Sequence, residues 1–329
     1  MDKSLYPLKF TPLMKNKIWG GDKIKSVLGI DFDPLENCGE LWVLSGIEGE
    51  ETPVANGFLE EATLPELIEM YSDELLGEDI FTKYYNAFPL LLKIIDANDD
   101  LSIQVHPDDK YAQRQGFLNG KTEMWYIIDS EGGLITSGFR SQVTKAKVIN
   151  AIRDNKLTEL LNIEPAFADD VFYIPSGTIH AIGKGVLLAE IQQSSDLTYR
   201  LYDYDRTDAN GNKRELHLAD AIEVLDLSSV VSTAKHHYHN HLNHTHNILE
   251  APYFITNAVF LNMQEGLCKD YSQLDSCVIY FCVGGSANIQ SMNTLSHIKA
   301  GETLLLPAIA KDATIFPEGK VKILEIIPL

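Results

Sequence analysis

The chain has 329 residues, 45% of them hydrophobic and 22% charged, the make-up of an ordinary soluble globular protein of one large or two modest domains. Its 47 Asp and Glu outweigh 27 Lys and Arg to give −20 at pH 7. That excludes a broad phosphate-tracking surface, so nucleic acid is not an expected partner, and cations that hold an anionic ligand must be local. The start, MDKSLYPLKFTPLMKNKIWGG, carries no uninterrupted apolar run and no small-residue cleavage site, so no secretory signal is expected. No stretch of 18 apolar residues occurs, so no spanning helix and no membrane partner are expected. Cys38, Cys268, Cys277 and Cys282 form no CxxC pair and read as reduced thiols of a cytoplasmic protein, the YSQLDSCVIYFCV pair lying on a buried strand.

In chain order, LPELIEMYSDELLG (64–77) has apolar residues at helical spacing and ends on glycine, the usual stop signal. PLLLKIIDA (89–97), LSIQVHP (101–107), EMWYIID (123–129) and GLITSGF (133–139) are runs bounded by turn residues and read as strands. The spacing then predicts a helix over 144–162, strands at DVFYIPSG (170–177) and GVLLAEIQQ (185–193), and a helix over 215–227. Many short strands with few helices predict a mainly β chain of jelly-roll type.

A faint internal repeat supports two β units. DDVFYIPSGTIH (169–180) aligns with GETLLLPAIAKD (301–312), setting Pro175 on Pro307 and His180 on Asp312. WYIIDSEGGLI (125–135) resembles IYFCVGGSANI (279–289) once two residues are removed. Between the copies, KHHYHNHLNHTHN (235–247) holds six of the ten histidines, with His237, His239 and His241 on one face if extended. No carboxylate or thiolate accompanies them, so an exposed linker or edge strand is the expected reading and a metal site the less expected one.

Gln104 and His106 sit at i and i+2, so on a strand they project from one face and can chelate one ion. Glu123 begins the next strand, and His180 follows a Pro-Ser-Gly turn. Two His and one Glu with open coordination form a recurring catalytic zinc set, to which a Gln carbonyl can add. Such a Zn²⁺ centre keeps about one positive charge and can stabilise a developing oxyanion. Lys121, two residues before Glu123, shares its strand face. Arg200 either faces the same cavity or pairs with Asp203 or Asp205.

With these residues in view, FPLLLKI, LSIQVHPDD, GKTEMWYI, IPSGTIHAIG and LTYRLYDYDR, together with IWGG and GELW, resemble type I mannose-6-phosphate isomerases of the short bacterial form. The likeness covers residues 5–227, and the remainder fits that family's degenerate second cupin. It implies two cupin domains, a catalytic one over 1–234 with helices packed on it and a degenerate one over 235–329. It also implies interconversion of mannose 6-phosphate and fructose 6-phosphate through a cis-enediol. The metal ligands would be Gln104, His106, Glu123 and His180, holding one Zn²⁺ per chain. Lys93, Lys121, Asp196 and Arg200 fall on catalytic positions. Ser102, Lys121 and Arg200 would meet the phosphorylated hexose. Lys121 and Asp196 are candidates for ring opening and Lys93 for the C2 proton. Ile182 stands where longer relatives carry an aromatic residue, which leaves sugar selectivity open.

A non-catalytic metal-binding cupin acting as a sugar-binding module is the alternative, but such a module needs no proton-transfer groups around one ion. A cupin oxygenase would want an HxH pair with a carboxylate close behind, whereas Glu123 follows His106 by 17 residues. The sequence leaves monomer and homodimer equally open.

Overall fold

The computed structural model describes residues 4–207, 211–228, 235–236, 238, 241–262 and 265–329; His237 and His239 of the histidine-rich segment lie outside them. The chain is mainly β and forms two jelly-roll barrels of cupin type. In the first, one sheet runs in the order Lys235–His236, Val171–Ile174, Glu123–Ser130, Val186–Gln193, Leu90–Ala97, Glu40–Leu44, Leu13–Lys15. It packs on a second sheet ordered Leu161–Pro165, Leu134–Phe139, His180–Ile182, Ile103–Val105, Tyr199–Tyr202. Trp125, Ile95 and Leu188 of the first sheet meet Ile135 and Ile182 of the second in one core.

The second barrel repeats this plan. Its larger sheet runs Leu8–Lys9, Thr303–Leu306, Val278–Gly284, Val321–Pro328, Phe254–Leu261, His244–Glu250. The smaller sheet runs Leu267–Asp270, Asp312–Pro317, Ser286–Ser291, Thr294–Lys299. The registers match strand for strand. Trp125 lies opposite Glu190 and Phe172 in the first barrel, as Tyr280 lies opposite Glu325 and Leu304 in the second. The repeat is therefore present, with Pro175 on Pro307 as the sequence suggests. Trp125, however, corresponds to Tyr280 and not to Ile279, because a one-residue slip would turn the barrel-facing set outward.

The two larger sheets stack their outer faces on each other. Leu92, Ile94, Met124, Leu187 and Ile191 of one share a core with Phe254, Ile279, Phe281, Leu324 and Ile326 of the other. This is why Leu90–Ala97 and Val186–Gln193 are buried at every position: one face fills a barrel, the other the seam between barrels. Each such buried Leu or Ile stabilises the fold by about 2 kcal/mol. The N-terminal strand Leu8–Lys9 pairs with Leu304 and Leu305, joining the sheet of the second barrel.

The helices sit at the periphery. Leu64–Leu76 ends at Gly77, whose φ is 92° and whose Cβ, if present, would lie 2.5 Å from the Asp275 carbonyl oxygen. Only glycine accommodates that approach. The predicted 144–162 helix is shorter: Lys145–Arg153 is α-helical, Asn155 turns to φ 54°, and Leu161–Pro165 is already a strand. Asn tolerates the left-handed region, so it breaks a periodicity that otherwise continues. The 215–227 helix is Leu218–Val224. Cys277 and Cys282 are buried and all four cysteines are free. Among the described residues, no helix is long and apolar enough to cross a membrane.

Candidate metal centre and active-site cavity

Strand register brings the ligand candidates together across the mouth of the first barrel. His180 pairs with Gln104 on the neighbouring strand, and Gln104 in turn with Arg200. Glu123 opens its strand in the facing sheet, opposite Ile174 and Gln192. His106, Glu123 and His180 are all buried, and their ligand atoms lie within 4.8 Å of one another. The two Nε2 atoms are 3.1 Å apart, and the Glu123 carboxylate oxygens lie 3.5 Å from His106 and 3.4 Å from His180.

The hydrogen bonds fix the tautomers. His106 Nδ1 donates to the Leu197 carbonyl at 2.8 Å and His180 Nδ1 to the Thr178 carbonyl at 2.8 Å. A carbonyl oxygen can only accept, so in each neutral ring the lone pair sits on Nε2. Burial keeps both rings neutral: it pulls His180 down to about 4 and His106 well below its usual range, the latter helped by Lys121 and His180. Two lone pairs thus converge at 3.1 Å, beside a carboxylate whose two buried oxygens have no hydrogen-bond partner. Lys121 Nζ pairs with one of these oxygens at 3.0 Å, but two facing lone pairs beside a buried carboxylate are costly, and a cation between these atoms would satisfy all of them. The Gln104 amide reaches the same point, 3.3 Å from His180 Nε2, and a half-turn of that amide presents its oxygen. The donor set of two imidazoles, one carboxylate and one amide oxygen fits a divalent metal of the zinc type.

The cavity opening from this centre has a volume of about 100 Å³. Lys93, Ser102, Gln104, Lys121, Asp196 and Arg200, all singled out from sequence, line it. Lys121 Nζ lies 3.0 Å from Glu123 Oε2 and 3.8 Å from Glu190 Oε1. Burial opposes its charge, but the carboxylates of Glu123, Glu190 and Asp196 outweigh that and raise it above the ordinary lysine range. Lys93 Nζ sits 3.5 Å from Glu190 and 3.7 Å from Asp196, over the Trp42 ring. Ser102 donates to Gln104 Oε1 at 3.2 Å, so it touches a ligand candidate directly. Asp196 is the open member, with 61% of its side chain exposed at the rim. Arg200 pairs with neither Asp203 nor Asp205; Arg206 and Arg214 take Asp203, and Lys213 takes Asp205.

Other lining residues escape the sequence reading: Lys17, Trp19, Glu40, Glu190 and Arg214. Glu190 lies in the middle of the apolar run VLLAEIQQ, where it faces Trp125 and accepts its indole N–H at 2.9 Å. Burial, with Glu123 adding to it, raises Glu190 above the usual carboxylate range against two lysines. Glu40 is pulled down to about 2, since Lys93 and Lys17 overcome its burial. Strand alternation places Glu190 and Gln192 on one face with Val186 and Leu188, a polar pair on a barrel-facing row, and that pattern was the available signal.

The second barrel braces this site. Tyr253 donates to Asp109 Oδ2 at 2.8 Å, and Asp109 Oδ1 accepts from Gly120 N and Gln193 Nε2, both at 2.8 Å. Gln193 Oε1 accepts from Thr122 N at 2.9 Å, which fixes the backbone between Lys121 and Glu123.

Known proteins resemble this chain in sequence and fold. Residues 7–137 match the family described as phosphomannose isomerase type I, catalytic domain. The chain is 38% identical over 307 residues to mannose-6-phosphate isomerase ManA of Bacillus subtilis, covering 92% of this chain and 93% of that protein. It is 44% identical over 223 residues to the mannose-6-phosphate isomerase of Streptococcus mutans, covering 67% of this chain and 68% of the other. In structure, the Bacillus subtilis mannose 6-phosphate isomerase superposes with a TM-score of 0.83 at 32% identity, over 97% of this chain and 99% of that one. On sequence, fold and the residues assembled at its first barrel, the chain belongs to the type I mannose-6-phosphate isomerase family.

Proposed function

We propose that this protein interconverts mannose 6-phosphate and fructose 6-phosphate, moving a proton between C1 and C2 through a cis-enediol, with one Zn²⁺ per chain. The observation that carries the reading is the pair of converging imidazole lone pairs beside the fully buried Glu123 carboxylate, ringed by two buried lysines. Gln104, His106, Glu123 and His180 would hold the ion, which supplies Lewis-acid polarisation of a substrate oxygen when bound.

The chain's own residues account for the rest. Lys121, kept protonated by its carboxylate neighbours, suits proton donation to a ring or carbonyl oxygen. Asp196, at the rim and within 3.7 Å of Lys93, suits acceptance of the O1 proton during ring opening. Lys93 is assigned to the C2 proton, buried between Glu190 and Trp42, where water has little access to it. Arg200 faces the anionic part of the substrate, and Ser102 positions the Gln104 amide. Ile182 lines the cavity and shapes the sugar side of the pocket.

In this reading the catalytic unit is 1–234 and the degenerate cupin is 235–329, with Leu8–Lys9 tying the first to the sheet of the second and Lys235–His236 tying the second to the sheet of the first. A cytoplasmic setting is supported by the four free cysteines. The test is a coupled assay for fructose 6-phosphate formed from mannose 6-phosphate, before and after chelation and zinc restoration. Activity that the chelator removes and zinc restores is expected; a folded, zinc-loaded protein without turnover would overturn the proposal.

A further inference from the structure

Arg214 stands outside the residues that the family likeness brings to the site, yet it lines the same cavity as Arg200. Its guanidinium is held in a fixed plane. Arg214 Nε donates to Asp203 Oδ2 at 2.7 Å and Nη2 to Asp203 Oδ1 at 2.6 Å, a fork on a carboxylate that is only 5% exposed. Asp203 also takes Arg206, which is spent further on the Asp100 carbonyl. Asp203 does not use the Nη1 edge of Arg214.

Arg200 supplies the second half of the feature. Its Nε is buried and has no hydrogen-bond partner among the described residues. No carboxylate lies within ion-pair distance of it among the described residues, whereas Arg206 and Arg214 share Asp203. Burial and then the nearby charge of Arg214 work against the Arg200 cation, and the more distant carboxylates of Asp203, Asp196 and Glu40 offset them in part. The buried Asp203 carboxylate is shared by Arg206 and Arg214, so Arg200 adds a third guanidinium nearby without a carboxylate paired to it, a local cluster of cations in a chain of net charge −20. A phosphate dianion accepts in the planar, forked manner that guanidinium donors match.

Position within the cavity agrees with this. Arg200 is next to Gln104 in the strand register, and Gln104, Arg200 and Arg214 line one cavity. In a hexose 6-phosphate the dianion sits at the opposite end of the carbon chain from C1 and C2. We propose that Arg214, oriented by Asp203, seats the substrate phosphate together with Arg200 and so sets the preference for phosphorylated over free hexose. The assignment rests on the isomerase reading above for its substrate but on the arginine geometry for its anion.

The experiment compares zinc-loaded wild type with Arg214→Gln and Arg214→Lys, measuring KM and kcat for mannose 6-phosphate. Inorganic phosphate serves as the probe, as a competitive inhibitor and by calorimetry. Losing a charged donor to a dianion is expected to raise KM about 10- to 100-fold in Arg214→Gln, with kcat changed only a few-fold and phosphate binding weakened by a similar factor. Arg214→Lys, which keeps the charge but loses the fork, should fall between, and it decides the matter if the glutamine variant does not fold. Variants that keep both KM and phosphate affinity within twofold, or that lose only kcat, would overturn the assignment. Wild type that binds phosphate through Arg214 but turns over no mannose 6-phosphate would sink the isomerase reading and leave the phosphate seat standing.

Discussion

The two barrels share one strand order and register but treat their interior polar groups in opposite ways. Glu190 of the first corresponds to Glu325 of the second, Trp125 to Tyr280, and Lys93 to Asn257. In the second barrel every one of these finds a partner. Glu325 accepts from Tyr271, from Asn257 at 2.9 Å and from Lys269 at 3.0 Å, while Tyr271 and Tyr280 bond each other. Burial drives both tyrosine hydroxyls far above their ordinary range, so they remain donors. In the first barrel Glu123 meets only Lys121, at 3.0 Å, and the two imidazoles, Glu190 Oε1 meets only lysines at 3.5 and 3.8 Å, and the imidazoles face each other with lone pairs. A network closed on itself stabilises a fold; one left open at its centre is poised to bind.

The ligand positions themselves diverge. Glu123, opposite Ile174, corresponds to Val278, opposite Leu306. The His180–Gln104 pair corresponds to Asp312–Asp270, and both of these aspartates are exposed. Among the described residues, the cluster able to hold a metal is the one in the first barrel.

Matched substitutions in the two barrels should break this symmetry in order of size. Glu123→Gln is expected to lower isomerase activity about a thousand-fold or more, since it removes the one carboxylate of the proposed ligand set. Its counterpart Val278→Ala should cost about 1–3 kcal/mol in urea denaturation and leave the rate of the folded protein unchanged. Lys121→Ala should lower kcat by about 10² to 10⁴ with the metal retained, as read by steady-state kinetics and metal analysis; full activity would remove Lys121 from the mechanism.

Asp96 gives a pH signature to the first barrel alone, because Phe260 holds the corresponding register position in the second. Burial pushes Asp96 up to about 6, against 3.8 for an ordinary aspartate. With the folded value above the unfolded one, its contribution is complete below 3.8 and is lost as pH rises through about 6. Stability measured at pH 4 and at pH 7.5 should therefore differ between wild type and Asp96→Asn by on the order of 2 kcal/mol, with wild type losing more on the alkaline side. The smallest effect tests the brace between barrels. Tyr253→Phe removes one hydrogen bond to Asp109 and should cost about 1 kcal/mol of stability and shift kcat a few-fold, with metal content unchanged.

Much of the centre was legible in the sequence because its parts are local. Gln104 and His106 are two residues apart, Lys121 and Glu123 likewise, and each pair straddles the end of a strand, His106 just past Ile103–Val105 and Lys121 just before Glu123–Ser130. Legibility ended where tertiary register decides. Glu190 hides in a run that is apolar on both faces because the strand lies between a barrel core and the seam. Arg214 lies 14 residues beyond Arg200, and only the Asp203 fork brings it back to the cavity. Asn155 cut the 144–162 helix through a backbone angle that periodicity does not reveal.

If the chemistry resides in the first barrel, the His106–Glu123–His180 cluster should hold a metal that activity requires. Elemental analysis of wild type and Glu123→Gln, purified alike and assayed on the same samples, tests it most directly. One equivalent of metal per chain in wild type, lost together with activity in the variant, is the expected result. Full metal content and activity in Glu123→Gln would contradict the account.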